Sequence, residues 1–306
     1  MSTAWIYAGQ GSQTPGMGRD FYDEFPEVRD IFDSAAAGFD LRALCFDADA
    51  ETLARTRYTQ PCMAAFAAAV TRILRGRGFA PDLAAGLSLG EYSALHASGV
   101  FGVDTLLSLL AFRGLAMEES AAGVQSRMSA VLGLSEELVR QAVAESSHTG
   151  VVACTNINCP GQIVIGGELA AVLAAEERCS ALGARRCMPL NTSGPFHTPL
   201  MEGASSRLRE KFAETEFSPQ QIPVLFNATG DTAPDGEVKN LLCAQVKSTV
   251  LFEKTLRKMV SLGADAFVEI GPGSALSGFV RKTAPELRVV SVNAVGDLKK
   301  VEELWN

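Results

Sequence analysis

A pentapeptide of the form Gly-x-Ser-x-Gly, at residues 86–90, constrains the folding of this chain more than any other feature. A short apolar run, residues 83–87, leads into it, and a helical pattern leaves it. Glycine at positions 86 and 90 permits a sharp strand-to-helix turn, because side chains there would collide with the crossing backbone. Such a turn would expose the Ser88 hydroxyl and leave the Leu89 N–H free at a helix N-terminus. The alternative is an ordinary strand-helix junction in which the serine caps the helix.

The composition predicts a globular chain that does not bind nucleic acid or a membrane. Of its 306 residues, 47% are hydrophobic and 20% are charged, and the formal net charge is −8. Nucleic-acid binding draws its affinity from clustered Lys and Arg, and the sequence has no basic run. The longest apolar run, residues 63–70, is rich in alanine and too short to span a bilayer. This run is therefore predicted to form a buried helix.

The amino terminus and the cysteines predict a cytoplasmic location. Residues 1–5 show no basic region followed by an apolar one, so no signal peptide is expected. The 7 cysteines are scattered and include no Cys-x-x-Cys pair. We expect reduced thiols, with no zinc site and no disulfide framework.

The alternation of apolar runs and helical stretches predicts an α/β fold with an inserted unit. Five strand-like runs are separated by helical stretches, which favours parallel pairing. They are residues 4–8, 83–87, 223–227, 266–270 and 288–292. Between the second and third of these, the order of elements is βαββαβ, which is typical of a ferredoxin-like antiparallel sheet. We predict a large domain, residues 1–121 and 196–306, and a small domain, residues 122–195.

A glycine-rich loop, residues 9–16, follows the first predicted strand. Its backbone N–H groups could converge on an anion or an oxyanion. It does not match the dinucleotide-binding pattern, because position 14 is not glycine, and it lacks the Gly-Lys-Ser/Thr ending of a P-loop. The alternative is a plain glycine turn after a strand.

Arg113 lies on the apolar side of a helix predicted over residues 105–120, with Asp104 as its N-cap. Helical spacing places it on one stripe with Leu106 and Leu109. A guanidinium in a core needs an anion beside it, because an unpaired buried charge is costly. That anion could be an internal Asp or Glu, or the guanidinium could reach water. It could also be a substrate carboxylate, which a guanidinium binds through two hydrogen bonds.

A nucleophilic serine needs a proton acceptor, and the chain has 3 histidines. His96 lies about 12 Å along the helix from Ser88 by rise alone, too far to touch it. His148 lies in a polar loop and is most simply a solvated residue. His197 lies where the small domain rejoins the large one. It is the preferred base, although a histidine in a Pro/Gly loop is more often structural.

Together these motifs resemble the malonyl-CoA:acyl carrier protein transacylases of fatty-acid synthesis and the related acyltransferase domains of polyketide synthases. The similarity covers essentially the whole chain. Its landmarks are weak singly and specific in this order and spacing. They are Gly9-Gln10-Gly11-Ser12-Gln13, Thr59-Gln60-Pro61, Gly86-x-Ser88-x-Gly90-Glu91-Tyr92, Arg113-Gly114, Asn158-x-Pro160-Gly161-Gln162, Gly194-Pro195-Phe196-His197 and Gly271-Pro272-Gly273. The resemblance implies an α/β-hydrolase-like large subdomain that carries a ferredoxin-like small one.

The resemblance also implies a ping-pong acyl transfer. Ser88 would be the acylated nucleophile, His197 its general base and acid without a third acidic residue, and Arg113 the partner of the malonyl carboxylate. Malonyl-CoA would be the donor, and the phosphopantetheine thiol of acyl carrier protein the acceptor. No bound cofactor and no metal are expected.

Three main-chain groups complete the site that the resemblance implies. The N–H groups of Gln10 and Leu89 would form the oxyanion hole, and the carbonyl of Gln245 would orient the histidine. One departure is Leu87, where the family usually has histidine. That histidine is not the general base, so we expect the chemistry to survive in a pocket of different polarity. The Gly-Pro-Phe-His stretch resembles the malonyl-preferring form.

Other functions remain open at this point. The same fold could load a polyketide synthase in trans, load a malonate decarboxylase, or hydrolyse thioesters. A plain α/β-hydrolase esterase would need an acidic residue before its histidine and no inserted unit. A non-catalytic scaffold for carrier proteins is opposed by the intact Ser88, His197 and Arg113. Because carrier proteins are acidic, Arg281 and Lys282 are a candidate docking patch.

Overall fold

Residues 2–305, which the computed structural model describes, form two β-sheets and the helices that pack on them. Within this range the strands are β1 (Thr3–Tyr7), β2 (Leu83–Gly86), β3 (Ser126–Leu132), β4 (Val152–Cys159), β5 (Gln162–Glu168), β6 (Arg186–Pro189), β7 (Val224–Phe226), β8 (Asp231–Thr232), β9 (Ala266–Ile270) and β10 (Arg288–Val292). The helices are α1 (Arg19–Glu24), α2 (Arg29–Phe32), α3 (Leu41–Phe46), α4 (Ala50–Ala54), α5 (Thr56–Gly76), α6 (Gly90–Ala97), α7 (Val103–Ala121), α8 (Glu136–Ser146), α9 (Leu169–Ala181), α10 (Glu202–Ala213), α11 (Val238–Gln245), α12 (Phe252–Ser261), α13 (Ala275–Thr283) and α14 (Leu298–Trp305). Short 3-10 turns lie at Pro26–Val28, Ala35–Ala37, Ser147–Thr149, Pro199–Met201, Asp235–Glu237 and Val295–Asp297.

The larger sheet has the strand order β10-β9-β1-β2-β7-β8. Its neighbours pair in parallel, except that the short β8 runs antiparallel to β7. Every residue of β1, β2 and β9 is buried, as expected for parallel strands covered on both faces. Alternate residues of β1 enter different core clusters, Trp5 and Tyr7 on one face and Ala4 and Ile6 on the other. The predicted parallel sheet is confirmed, whereas β8 was not predicted.

The smaller sheet is antiparallel, with the order β4-β5-β3-β6. Helices α8 and α9 pack on it and share its core cluster. The chain order β3-α8-β4-β5-α9-β6 is the βαββαβ unit predicted from the sequence, and the α/β fold with an antiparallel insertion is confirmed. The strands of this sheet lie between residues 126 and 189. The exact domain limits of 121/122 and 195/196 stay a prediction.

The smaller sheet also contacts the segment that follows α11. Asn156 of β4 forms an isolated parallel bridge with Val250. The Ile157 N–H donates to the Val250 carbonyl at 2.8 Å, and the Val250 N–H donates to the Thr155 carbonyl at 2.8 Å. Strand β4 continues to Cys159, so the turn to β5 consists of Pro160 and Gly161.

Helices α5 and α7 pack closely and carry the polar groups that face the end of β2. A Cβ on Gly114 of α7 would lie 2.7 Å from the Thr56 carbonyl oxygen, so glycine allows the two helices to approach. Helix α7 begins after Gly102, and Asp104 therefore lies in its first turn rather than at the N-cap. The alanine-rich residues 63–70 are all buried in α5, as predicted. No helix within residues 2–305 is long and apolar enough to cross a membrane.

Candidate active site

The turn between β2 and α6 is as sharp as the pentapeptide predicts. A Cβ on Gly86 would lie 2.0 Å from the Gly90 carbonyl carbon, and a Cβ on Gly90 would lie 2.2 Å from the Tyr7 carbonyl oxygen. Ser88 has a φ of 55°, in the left-handed region that serine seldom adopts. The N-cap residue of α6 is Leu89, and the alternative in which Ser88 caps the helix is wrong.

The serine hydroxyl meets the histidine that elimination favoured. The Ser88 Oγ lies 2.8 Å from the His197 Nε2. The His197 Nδ1 lies 2.8 Å from the main-chain oxygen of Gln245. Because a carbonyl oxygen only accepts, Nδ1 carries the proton, and Nε2 is free to accept from the serine. A carbonyl thus occupies the place that a carboxylate takes in a Ser-His-Asp triad.

His197 is held in its basic form. It is buried, and burial together with the positive charge of Arg113 lowers its pKa from 6.5 to about 4. The imidazole is therefore neutral at pH 7. The His96 Nδ1 lies 2.9 Å from the Phe101 carbonyl oxygen, and the His148 Nδ1 lies 2.8 Å from the Glu145 carbonyl oxygen. Neither side chain is hydrogen-bonded to Ser88.

Arg113 is fully buried and points into the site. Its Nη1 donates to the Gln60 Oε1 at 2.8 Å, and its Nη2 donates to the Ser88 Oγ at 3.1 Å and to the Gln245 Oε1 at 2.9 Å. The guanidinium also lies over the Tyr92 ring, 5.4 Å from its centroid. All three acceptors are neutral, and Arg113 forms no ion pair with any residue from 2 to 305. The internal ion pair considered from the sequence is therefore absent from the described chain.

The carboxyl group that would act electrostatically on Arg113 when ionised is that of Glu91, in the first turn of α6. It is fully buried, and burial raises its pKa from 4.5 to about 8, although the hydrogen bond from the Asn227 N–H opposes this shift. The carboxyl group is therefore mostly protonated at pH 7, and it does not neutralise the guanidinium. The sequence motif that contains Glu91 does not indicate this role.

The two main-chain groups expected to hold an oxyanion belong to the turns that follow two neighbouring strands, β1 and β2. Strands β1 and β2 pair in parallel with Tyr7 opposite Gly86, and Gln10 and Leu89 each lie three residues beyond that pair. Within residues 2–305 neither main-chain N–H donates to an acceptor. The Gln10 side chain is fixed by a hydrogen bond from its Nε2 to the Thr56 Oγ1 at 3.0 Å. Two free donors beside a nucleophile are what an oxyanion hole requires.

A cavity of about 270 Å³ opens at Ser88, between the two sheets. Its wall is formed by the glycine-rich loop, the elbow, the smaller sheet, the segment before His197 and α13. The lining residues are Ala8, Gly9, Gln10, Gly11, Ser12, Gln13, Gln60, Leu87, Ser88, Met117, Met128, Asn156, Asn158, Val164, Leu190, Asn191, Thr192, Phe196, His197, Ala275, Leu276 and Phe279. A more open groove of about 580 Å³ beside β7 and β8 contains none of the predicted site residues.

Two side chains that the sequence does not point to hold the elbow. The Gln245 side chain donates from Nε2 to the Ser88 carbonyl at 2.9 Å, in addition to accepting from Arg113. The Asn227 side chain accepts from the Ser88 N–H at 2.7 Å and donates to the Gly86 carbonyl at 2.7 Å. Neither residue lies in a local motif for this purpose, and only the pairing of β2 with β7 could have pointed to Asn227.

Comparison with known proteins shows similarity along nearly the whole chain. Residues 4–304 match the family model described as acyl transferase domain. The malonyl CoA-acyl carrier protein transacylase of Bacillus subtilis is 36% identical over 294 residues, which cover 95% of this chain and 93% of that protein. The crystal structure of MCAT from Streptococcus pneumoniae superposes with a TM-score of 0.95 at 42% identity, covering 99% of this chain and 100% of that one. A solved complex of a type II PKS acyl-carrier protein with its malonyl-transacylase matches with a TM-score of 0.95 at 34% identity, covering 99% and 100% of the two chains.

Proposed function

The chain belongs to the acyl transferase domain family and is an acyltransferase, and we propose that it transfers malonyl groups from malonyl-CoA to acyl carrier protein for fatty-acid synthesis. The transfer runs in two steps through a malonyl ester of Ser88. The observation that carries the proposal is the buried Arg113, which faces the Ser88 hydroxyl without an acidic partner among residues 2–305.

In the first step His197 removes the Ser88 proton through Nε2, and the Oγ attacks the thioester carbonyl. The main-chain N–H groups of Gln10 and Leu89 stabilise the negative charge that develops on the carbonyl oxygen. Removing one such donor typically costs about 3–4 kcal/mol of transition-state stabilisation. The carbon–sulfur bond then breaks, and the thiolate of coenzyme A takes the proton from His197 as it leaves.

In the second step the pantetheine thiol of the carrier protein attacks the malonyl ester. His197 accepts the thiol proton and returns it to the Ser88 oxygen as the ester bond breaks. The Gln245 carbonyl holds Nδ1 throughout, so the imidazole keeps the orientation that both proton transfers need. The neutral resting form of His197 suits it to begin each step as a base.

Arg113 supplies the preference for a malonyl group. The malonyl carboxylate is separated from the ester carbonyl by one methylene, which keeps it close to a guanidinium that already contacts the Ser88 oxygen. A buried guanidinium with only neutral acceptors gains a charge-assisted hydrogen bond when a carboxylate arrives. An acetyl group offers no such partner, and the site therefore favours the dicarboxylic acyl group.

Intact-mass measurement tests the acyl-enzyme directly. Incubation with malonyl-CoA should add about 86 Da, one malonyl ester, and addition of holo carrier protein should remove it. Ser88→Ala should form no adduct. Ser93→Ala is the matched control, because Ser93 lies buried on α6 and its hydroxyl has no hydrogen-bond partner among residues 2–305. A wild-type protein without the adduct, or an adduct that the carrier protein leaves in place, contradicts the proposal.

A second carrier is favoured by one of the comparisons. The solved complex with a type II PKS acyl-carrier protein supports delivery of malonyl groups to a polyketide carrier by the same two steps. Competition between the two carriers for one malonyl-enzyme distinguishes the pathways, because only the second step differs. For either carrier we propose the exposed Arg281 and Lys282 as the docking patch.

The reaction as proposed needs no bound cofactor. Coenzyme A arrives with the donor, the phosphopantetheine arm belongs to the carrier protein, and the proton transfers use only His197. We also propose a cytoplasmic location, which the 7 unpaired cysteines favour, because secreted proteins commonly oxidise such thiols.

A further inference from the structure

The ladder between β2 and β7 ends where the chain turns toward the nucleophile. Ala84 pairs with Val224 and Ala85 with Leu225, in parallel register. One further step of this ladder would bond the main chain of Asn227 to two groups that flank Leu87, the Gly86 carbonyl and the Ser88 N–H. The left-handed conformation of Ser88 turns the chain away at this point, so the regular ladder stops.

The side chain of Asn227 makes both of those bonds instead. Its Oδ1 accepts from the Ser88 N–H at 2.7 Å, and its Nδ2 donates to the Gly86 carbonyl at 2.7 Å. A carboxamide carries one acceptor and two donors, and it therefore imitates the peptide groups of a neighbouring strand. Asn227 is fully buried, so no water competes for these bonds.

The main chain of Asn227 is anchored separately. Its N–H donates to the Glu91 Oε2 at 2.6 Å, and its carbonyl accepts from the Leu251 N–H at 2.9 Å. The amide thus belongs to a fixed frame that joins β7, α6 and the start of α12. A left-handed φ at a non-glycine residue costs free energy and persists only where the surroundings hold it.

We propose that Asn227 is a positioning residue for the nucleophile, whose side-chain amide holds the Ser88 backbone in the conformation that aims Oγ at His197. The same two bonds fix the direction of the next N–H, that of Leu89, which the proposed reaction uses for the oxyanion. The inference rests on the proposed function only in that Ser88 acts as a nucleophile.

Phosphonylation of Ser88 by a fluorophosphonate probe tests this inference without malonyl-CoA. The serine oxygen displaces fluoride, and the reaction needs the nucleophile, the base and the oxyanion donors but not the malonyl site. Asn227→Ala should slow labelling by about a hundredfold, because misplacing a reacting atom by about 1 Å has an effect of this size. With malonyl-CoA the same variant should lose kcat while KM changes by less than about threefold, since Asn227 does not line the cavity.

The matched control is Ser98→Ala, at the C-terminal end of α6, whose hydroxyl bonds to the segment that leads into β7. The Ser98 hydroxyl is buried, donates to the Ile222 carbonyl at 2.6 Å and accepts from the Ile222 N–H at 3.2 Å. Its loss removes a comparable pair of hydrogen bonds at the end of α6 that lies away from the nucleophile. Ser98→Ala should lower the thermal midpoint as Asn227→Ala does, and should label at the wild-type rate.

Asn227→Asp keeps the test decisive if Asn227→Ala does not fold. An aspartic acid side chain in its protonated form offers both the donor and the acceptor, whereas the ionised form cannot donate to Gly86. The variant should label more slowly than wild type at the upper end of the pH range in which both proteins stay folded, where the ionised side chain cannot donate to Gly86. Wild-type labelling rates in Asn227→Ala, or in Asn227→Asp at the upper end of that pH range, would overturn the inference. A wild-type protein that labels with the probe but forms no malonyl adduct would instead refute the proposed function alone.

Discussion

The Nη2 atom of Arg113 lies 3.1 Å from the Ser88 Oγ, the atom that the proposed reaction acylates. The guanidinium therefore faces the reacting centre itself rather than a distant part of the pocket. Its acceptors are two glutamine side chains and the serine, and the carboxyl of Glu91 is held mostly protonated by burial. The site presents one positive charge to whatever acyl group Ser88 carries.

Replacement of Arg113 should change which acyl group the enzyme prefers. Arg113→Ala should lower kcat/KM for malonyl-CoA by about a hundredfold, the value of a buried charge-assisted hydrogen bond. Transfer of acetyl groups should be unchanged or faster. For malonyl-CoA, the kcat/KM of Arg113→Lys should lie between those of wild type and Arg113→Ala, because lysine keeps the charge and loses the planar fork. Acyl-CoA profiling measures all three, and equal losses on both substrates would refute the role assigned to Arg113.

A carboxylate placed beside Arg113 should compete with the substrate. Gln60 accepts from Nη1 of the guanidinium and does not contact His197, so Gln60→Glu would supply the missing anion without disturbing the dyad. We expect kcat/KM for malonyl-CoA to fall by about tenfold or more and acetyl transfer to change little. Gln60→Met is the control for lost hydrogen bonding. If Gln60→Glu and Gln60→Met have the same selectivity, the electrostatic explanation is wrong.

The pH dependence of the first step should report His197. Its pKa is lowered to about 4, so the neutral form predominates at every pH well above that value. The acylation rate should stay level from pH 8 to pH 6 and decline only as the pH approaches 4, where the imidazole becomes protonated. Rapid-quench measurement of the malonyl-enzyme gives this profile. A midpoint near 6.5 would show that the imidazole is not perturbed by burial and by Arg113.

Glu91 should make the protein less stable as the pH rises. Its pKa is raised from 4.5 to about 8, so above pH 4.5 the unfolded chain loses a proton that the folded chain retains. The free energy of unfolding should therefore fall between pH 5 and pH 8 by more in wild type than in Glu91→Gln. The glutamine can still accept from the Asn227 N–H, which keeps the comparison specific to charge. Parallel denaturation curves for the two proteins across this range would contradict the assignment.

The proposed docking patch should affect only the second step. Arg281→Glu with Lys282→Glu should slow transfer to the acidic carrier protein by about tenfold at low salt and leave malonyl-enzyme formation unchanged. Lys299→Glu on α14 is the control, because it changes the charge at another exposed position. Loss of carrier transfer in the control as well would point to net charge rather than to the patch.

Local sequence was sufficient for the elbow. Gly86 and Gly90 lie so close to crossing backbone that no other residue fits, and this requirement is visible in the pentapeptide. His197 could be selected because the chain has only 3 histidines and the other two are poorly placed. The βαββαβ order was readable for a similar reason, since hydrophobic periodicity within each element is local.

The features of the site that the sequence does not reveal depend on contacts between elements distant in the chain. Asn227 follows an ordinary apolar strand, and its importance arises from the register of that strand with β2. Glu91 stands in the first turn of α6, where an acidic residue is usually explained by the helix dipole. Glu91 is buried because α6 is enclosed on most sides, and the sequence of α6 has no amphipathic pattern that would indicate this. Aspartate is a common N-cap, which favours Asp104 from sequence alone, but Gly102 occupies that position.

The bridge between Asn156 and Val250 connects the cavity wall to the segment that supports the catalytic histidine. Val250 stands five positions after Gln245, whose carbonyl holds the imidazole, and Asn156 is part of the cavity wall. Residues 245–250 and the two main-chain hydrogen bonds of Val250 thus join the support of the catalytic imidazole directly to the sheet that walls the cavity.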